Sequence, residues 1–316
     1  MNRKTKIVSI VGPTASGKTR LAVELAKRFN GEIISADSMQ IYQGMQIATA
    51  KPTEQEKGGI VHHLMDFLPP QSTYSVASFT EDAKRCIDEI VSRGRLPFIV
   101  GGTGLYVDSL LNNIRFSEEA RDTAIADELK RLYEENGVDH LLDILRGFDS
   151  SSAERLEKEK NPKRIIRAIE FYKTSGKTIT EQNELSRLEE SPYSAVKIGL
   201  NYSDREKLYE RINLRVDLML EQGLLKEAAQ VLDGPLSFTS VKAIGYKELA
   251  PYFSGESTLE ECVEKLKRET RRYAKRQLTW FKRDKEINWL YVDKYSSFEE
   301  LFDSAVQIID KGLIYG

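Results

Sequence analysis

The segment that most constrains this chain is a Gly-x-x-x-x-Gly-Lys-Thr loop at residues 12–19. It follows the apolar run 6–11 and precedes a helical pattern in which Leu21, Leu25 and Phe29 recur on one side. Backbone N–H groups of a glycine-rich turn that opens a helix form an anion site. In such ATP-binding motifs the lysine adds positive charge, and the threonine hydroxyl suits Mg²⁺. We therefore predict a phosphate-binding loop consisting of Gly12, Pro13, Thr14, Ala15, Ser16, Gly17, Lys18 and Thr19.

Strand and helix patterns alternate through the first third of the chain. Apolar strand segments at 6–11, 31–37 and 96–101 are separated by helical stretches, one of them capped by Ser78. Alternation of this kind predicts a parallel sheet, whose ligand crevice lies at the carboxyl ends of the strands. We expect an α/β fold with a P-loop-type parallel sheet core flanked by helices.

The pattern changes to charge-rich helices without a convincing strand, as in "NPKRIIRAIEFYKTSG". Strands return with "SAVKIGLNY" and end with "INWLYV". We predict a core formed by residues 1–114 and 193–316, with basic C-terminal helices. An all-helical subdomain at residues 115–192 interrupts that core.

Composition indicates a cytoplasmic enzyme. The 40% of hydrophobic residues supports a core, and the formal net charge of −2 excludes a globally basic nucleic-acid-binding protein. Two distant cysteines, Cys86 and Cys262, predict no disulfide framework. No signal-peptide pattern precedes the loop, and no apolar run has membrane-spanning length.

Asp37 follows the second strand, among Ser35, Ser38 and Gln40. An NTPase usually has an Asp at the end of another apolar strand to hold Mg²⁺. Here the segment 96–100 leads instead into Gly-Gly-Thr-Gly, which counts against ATP hydrolysis. Asp37 is either a turn-capping residue or a base or metal partner, and its place beside bound phosphates favours the second interpretation.

A basic segment lies near the end of the chain, at residues 264–285. It contains ten Lys or Arg against three acids, a local net charge of +7. A lone run of this kind is usually a solvated helix face. Together with "NPKRIIR" in the predicted insertion, it favours a surface for an RNA backbone.

The ordered motifs resemble those of the bacterial tRNA dimethylallyltransferases (tRNA isopentenyltransferases) over nearly the whole chain. The matching segments are "GPTASGKT", "ISADSMQIYQGM", "TAKPT", "HHLMD", "YSVASF", "LPFIVGGTGLY", "NPKRIIRAIE", "RINLRVDLMLEQGLLKE", "AIGYKEL" and "TRRYAKRQLTWFKRD". The resemblance implies that the loop grips dimethylallyl diphosphate rather than a hydrolysable nucleotide. The prenyl group then moves to N6 of the adenine immediately 3′ of the anticodon of a tRNA, and pyrophosphate leaves. In the family, the adenine is flipped into a channel and the insertion lies over the tRNA.

The resemblance also assigns roles to individual residues. Asp37 is the general base, and Thr103 contacts the reacting centre. Lys18 and Arg215 hold the diphosphate, and Thr19 faces Mg²⁺. The implied tRNA contacts are Asp37, Ser38, Met39, Gln40, Thr103, Arg121, Lys163, Arg164, Arg167, Lys242, Gly245 and Tyr246, with Arg271, Arg272, Lys275 and Arg276 on the basic helix.

Two departures from the family pattern lie in the insertion. Ala126 stands where the family commonly has Arg, and Lys160-Asn161-Pro162 replaces Asn-Asp-Pro. A small-molecule or nucleotide kinase and a nucleotide-gated RNA-binding switch remain alternative functions. The kinase leaves the basic helix unexplained, whereas the switch gives Asp37 no chemistry. We expect a monomer.

Overall fold

The computed structural model describes residues 4–114, 123–187, 190–237 and 240–315. Contacts between Cα atoms divide the chain into two units, Met1–Leu111 with Ser191–Gly316, and Asn112–Glu190. We call the first the core unit and the second the helical unit. Arg121, predicted to contact tRNA, lies outside the described residues.

The core unit is built on a six-stranded sheet in the order β3-β2-β4-β1-β5-β6, with every neighbouring pair parallel. This confirms the predicted parallel α/β core. The strands are β1 (Thr5–Val11), β2 (Gly31–Ser35), β3 (His62–His63), β4 (Leu96–Gly101), β5 (Tyr193–Asn201) and β6 (Asn288–Tyr291).

Helices connect and cover the strands, and α5–α8 belong to the helical unit. The helices are α1 (Lys18–Arg28), α2 (Glu54–Lys57), α3 (Val76–Ser92), α4 (Gly104–Leu111), α5 (Thr123–Arg146), α6 (Ser150–Glu159), α7 (Pro162–Ser175), α8 (Ile179–Arg187), α9 (Arg205–Glu221), α10 (Leu224–Asp233), α11 (Tyr246–Phe253), α12 (Leu259–Phe281) and α13 (Phe298–Tyr315). No helix in the described part of the chain is both long enough and apolar enough to cross a bilayer.

Alternate residues of β1 enter two apolar layers, as the two-residue period of a strand requires. Ile7 and Val11 pack with side chains of α3, α4 and α12. Val8 and Ile10 pack with side chains of α1 and α13. Both faces of the central strand are therefore buried, and the ligand-binding chemistry is confined to the strand ends.

Helix α3 begins one turn earlier than predicted. The side chain of Ser75 caps it by accepting a hydrogen bond from the N–H of Ser78 at 3.0 Å. The predicted cap at Ser78 is wrong because Val76 and the turn after it already belong to the helix, with Phe79 fully buried. A Ser-x-x-Ser sequence offers two possible caps, and burial of Phe79 selects the first.

The helical unit has a separate core formed by leucine and isoleucine side chains of α5, α6 and α7. Helix α5 is interrupted at Gly137, whose φ of 79° is not helical. All described secondary structure of this unit is helical. The prediction that the inserted segment is helical is therefore confirmed, whereas its place over tRNA stays a prediction.

Candidate active site

The phosphate-type loop joins β1 to α1 and needs glycine at both ends. Gly12 has a φ of 143° and Gly17 a φ of 91°, values that side-chain-bearing residues rarely adopt. A Cβ atom on Gly12 would also lie 2.3 Å from the carbonyl oxygen of Leu200 in β5. The loop therefore lies directly against the neighbouring strand and leads into the start of α1.

Two cations, Lys18 and Arg215, flank the loop. Lys18 Nζ donates to the carbonyl of Pro13 at 2.7 Å, and Arg215 Nη1 donates to Thr14 Oγ1 at 3.1 Å. Burial lowers the pKa of Lys18 to about 7; the charge of Arg215 acts in the same direction and that of Asp37 opposes it. Burial lowers the pKa of Arg215 as well, although a guanidinium stays charged at neutral pH. Within the described residues, neither cation forms an ion pair with a carboxylate.

A buried amide on α12 connects this loop to the loop after β4. Gln277 Oε1 accepts the N–H of Thr14 at 2.9 Å, and its Nε2 donates to the carbonyl of Gly102 at 3.0 Å. Arg211, one turn before Arg215 on α9, donates from Nε to the carbonyl of Ala15 at 3.3 Å. Neither Gln277 nor Arg211 was predicted to have a role here, because neither is near the loop in the chain.

Asp37 follows β2, and its Oδ1 accepts the N–H groups of Met39 at 2.9 Å and Gln40 at 3.3 Å. Asp37 therefore does cap this turn, which is one of the two roles considered for it from the sequence. For its Oδ2 the described part of the chain offers no hydrogen-bond partner. The side chain lines a cavity, so one carboxylate oxygen holds the turn and the other is available for chemistry.

Thr103 joins the loop after β4 to the Asp37 turn. Its N–H donates to the carbonyl of Ala36, and its Oγ1 accepts the N–H of Ser38, both at 3.1 Å. Its predicted contact with the reacting centre stays a prediction, since Gly101 and Gly102, rather than Thr103, line the cavity.

The cavity has a volume of about 280 Å³, and residues of the core unit line it throughout. Lys18, Thr19, Asp37 and Arg215 are among the residues that line it. The segments 48–50 and 242–245 line it as well. The arrangement places an anion site, a carboxylate and an apolar wall around one volume.

Several residues predicted to contact tRNA line this cavity, namely Ser38, Met39, Gln40, Lys242 and Gly245. The amide of Gln40 is engaged internally, donating to the carbonyls of Thr49 and Ala50 at 3.2 Å each.

Tyr246 requires a correction. Its side chain is 1% exposed, and its hydroxyl donates to Glu227 Oε1 at 2.9 Å. A side chain buried in this way does not touch RNA, so the predicted direct contact is wrong in this conformation.

The four basic residues singled out on α12 do not share one environment. Arg271 donates to Asn213 Oδ1 on α9 at 2.6 Å and is half-buried, whereas Arg272 pairs with Glu269 at 2.7 Å. Lys275 is exposed. Arg276 is also exposed, lies over the Tyr273 ring and lines the cavity. Contact of these residues with RNA phosphates stays a prediction.

The basic residues predicted on the helical unit lie on α7. Lys163 is exposed, Arg164 pairs with Glu159, and Arg167 pairs with Glu170 at 2.9 Å. Their role toward tRNA stays a prediction too.

The residues at the loop fit a magnesium ion bound together with a phosphate ligand. Among the residues the structure describes, no group of three His, Cys, Asp or Glu side chains forms a dedicated metal cage. Mg²⁺ commonly takes one or two protein oxygens and completes its shell with phosphate oxygens and water. The hydroxyl of Thr19, at the start of α1 and on the cavity wall, is a donor of that kind.

Comparison with known proteins gives consistent matches along the chain. A family model described as IPP transferase matches residues 40–284, and one described as isopentenyl transferase matches residues 5–66. The chain is 46% identical over 307 residues to the tRNA dimethylallyltransferase of Caldanaerobacter subterraneus subsp. tengcongensis, covering 96% of this chain and 97% of that protein.

Solved structures of tRNA-modifying transferases are also similar to this chain. The full-length tRNA isopentenylpyrophosphate transferase of Bacillus halodurans has a TM-score of 0.71 and 43% identity, with 98% of each chain covered. A eukaryotic dimethylallyltransferase solved acting on tRNA has a TM-score of 0.84 and 29% identity, covering 98% of this chain and 79% of that one. Since a family model spans most of the chain and the relatives align over nearly all of it, the chain belongs to the tRNA dimethylallyltransferase family.

Proposed function

We propose that this chain transfers the dimethylallyl group of dimethylallyl diphosphate to N6 of the adenine immediately 3′ of a tRNA anticodon. The new bond joins N6 to C1 of the prenyl group, and the bond from C1 to the diphosphate oxygen breaks. Pyrophosphate leaves with the bonding electrons, and the proton lost from N6 goes to a carboxylate. The names and full-length similarity of the relatives support this reaction.

One observation carries the donor half of the proposal. Lys18 and Arg215 face the cavity beside the phosphate loop without a carboxylate partner among the described residues. Desolvated cations are costly unless an anion compensates them. A diphosphate supplies that anion, and the same groups stabilise the negative charge that grows on pyrophosphate as the bond breaks.

Asp37 is the proposed base. Its Oδ1 is held by two backbone N–H groups, which fixes the direction of Oδ2 toward the cavity it lines. An exocyclic amine is a weak nucleophile, so a carboxylate within hydrogen-bond reach of N6 assists bond formation by accepting its proton. Thr103 supports this geometry through its bond to Ser38, the residue that follows Asp37.

Thr19 and the loop are proposed to hold Mg²⁺ together with the diphosphate. The bound ion would neutralise charge on the leaving pyrophosphate. We place the reaction in the cytoplasm, where tRNA is found, and propose a monomer.

The decisive experiment uses tRNA with either radiolabelled dimethylallyl diphosphate or γ-labelled ATP. We expect label in tRNA only from the prenyl donor, and loss of transfer when the adenine 3′ of the anticodon is replaced by guanine. Phosphate label in tRNA or in a small molecule would favour a kinase. Binding of tRNA without transfer from either donor would favour an RNA-binding switch.

A further inference from the structure

A buried carboxylate outside the reacting centre holds one wall of the cavity. Glu227 lies on α10 and is 9% exposed. Its Oε2 accepts the N–H groups of Gln46 at 2.9 Å and Ile47 at 2.7 Å. Its Oε1 accepts the N–H of Ala48 and the hydroxyl of Tyr246, both at 2.9 Å. Four neutral donors therefore converge on one buried acid.

The donors come from two segments that meet at the cavity. Residues 48–50 line it from one segment, and residues 242–245 line it from the segment that precedes Tyr246. The segments touch so closely that a Cβ atom on Gly245 would lie 2.8 Å from Ala48 Cβ. Glu227 stands behind this wall and is not among the cavity-lining side chains.

The same wall is tied to the proposed base. The side chain of Gln40 donates to the carbonyls of Thr49 and Ala50, and its backbone N–H donates to Asp37 Oδ1. Glu227 and Gln40 thus fasten neighbouring parts of the segment 46–50. With its backbone groups engaged in this way, the segment has a fixed position and presents the side chains of Ala48 and Ala50 to the cavity.

This wall is distinct from the anion site. The diphosphate groups are the phosphate loop, Lys18 and Arg215, whereas the wall held by Glu227 includes Lys242 and adjoins Lys247, which also lines the cavity. Lysines beside an apolar wall suit a nucleotide whose base enters and whose phosphates stay outside. The wall therefore belongs to the acceptor side of the cavity.

We infer that Glu227 is a positioning residue that sets the acceptor side of the cavity for the tRNA nucleotide, and that it has little influence on the donor side. The inference rests on the proposed function in taking tRNA as the acceptor. Glu227 acts through the segments 46–48 and 242–246, without touching either substrate.

The test compares Glu227→Gln with the wild-type chain. The substituted amide retains the size of the side chain but turns an NH₂ group toward backbone N–H or hydroxyl donors, so at least one bond is lost. We expect the KM for tRNA to rise about tenfold, the change that one lost hydrogen bond of a buried charged group produces. The KM for dimethylallyl diphosphate should change less than about twofold.

Binding without chemistry gives an independent readout. Affinity for tRNA in the absence of donor should fall with the KM, and affinity for pyrophosphate should not change. Tyr246→Phe removes one of the four bonds and keeps the carboxylate, so it should raise the KM for tRNA in the same direction by about two- to fivefold. This milder variant keeps the test informative if Glu227→Gln does not fold.

Asp233→Asn is the matched control, because it neutralises an exposed acid on the same helix. Both KM values should stay at the wild-type level. The inference is overturned if folded Glu227→Gln keeps the wild-type KM for tRNA, or if both KM values rise together. Failure of the proposed function is distinct from either result, since the wild-type chain itself would then transfer no prenyl label to tRNA.

Discussion

The side-chain amide of Gln277 accepts the backbone N–H of Thr14 at 2.9 Å, although 263 positions separate the two residues in the chain. Through its second bond, to Gly102, the same amide fixes the phosphate loop against the loop that leads to Thr103. Helix α12 carries basic side chains on its exposed surface. On its buried side, the same helix contacts the donor site through the neutral amide of Gln277.

Replacing Gln277 by Leu should loosen the phosphate loop. Loss of the two bonds leaves a buried N–H and a buried carbonyl without partners, so we expect the KM for dimethylallyl diphosphate to rise about tenfold. The KM for tRNA should change little, the reverse of the pattern expected for Glu227→Gln. Thr279→Ala, an exposed change on the same helix, is the control, and steady-state kinetics with each substrate varied measures both effects.

Replacing Asp37 by Asn should separate turn formation from proton transfer. Asn keeps an oxygen that accepts the N–H groups of Met39 and Gln40, so the turn persists. Single-turnover transfer should slow by about 10²–10⁴-fold, and tRNA affinity should stay within about twofold. A variant that transfers at the wild-type rate would remove Asp37 from the role of base.

Replacing Lys18 by Met should make the unliganded chain more stable while abolishing use of the donor. The change removes a desolvated cation that has no carboxylate partner in the described structure and fills the same space with an apolar chain. We expect Tm to rise by about 1–2 °C, because about 1 kcal/mol shifts Tm by roughly 2–4 °C in chains of about 150–250 residues and by less in this longer chain.

The second part of this test measures Tm in the presence of pyrophosphate. Pyrophosphate should raise the Tm of the wild-type chain and leave the Tm of Lys18→Met nearly unchanged. The Tm of Arg215→Met should likewise be nearly unchanged by pyrophosphate. An equal pyrophosphate response in all three proteins would place the diphosphate elsewhere.

Replacing Arg272 and Lys275 by Ala together tests the exposed surface of α12. If both contact RNA phosphates, the slope of log affinity against log salt should fall by roughly 0.7–0.9 per lost contact. Lys311→Ala, an exposed change on α13, should keep the wild-type slope. Parallel salt dependences for all three proteins would make these two charges a solvated surface.

Asp149 gives the helical unit a predictable acid sensitivity. Burial acts to raise its pKa, but hydrogen bonds from Thr180 and Ser152 outweigh this and hold the pKa below its ordinary value of 3.8. The stabilising contribution is therefore complete above that value and is lost as pH falls through the lower folded-state pKa. Limited proteolysis within residues 123–187 should be faster for Asp149→Asn than for wild type at pH 7, and the difference should shrink near pH 3.

The parts of the site that were predictable from the sequence are contiguous. The phosphate loop, Asp37 after β2 and the Gly-Gly-Thr-Gly after β4 each follow an apolar run, and parallel strands bring their ends to one edge. Gln277, Arg211 and Glu227 were not predictable. Their backbone partners lie 175 to 263 positions away in the chain, and no local spacing marks a buried amide or acid as a partner of a distant backbone group.

Two elements of the fold were missed for different reasons. Strand β3 is two residues long, too short for alternation to appear. Helix α13 does carry a helical pattern, with Leu301, Ala305 and Ile309 buried, but the last predicted element was the preceding strand. The burial of Tyr246 was hidden by its place in a motif associated with tRNA, since a motif does not state which of its side chains face inward.

The central position of β1 has a consequence for how the chain is made. β1 pairs with β4 on one side and with β5 on the other, and β5 is synthesised only after the whole helical unit. At about 5–20 residues per second, roughly 10–40 seconds pass between completion of β1 and of β5. During that interval the nascent chain carries the phosphate loop beside an open strand edge, which chaperones or other chains can contact. Gln277 emerges later still, so the donor site becomes complete only near the end of translation.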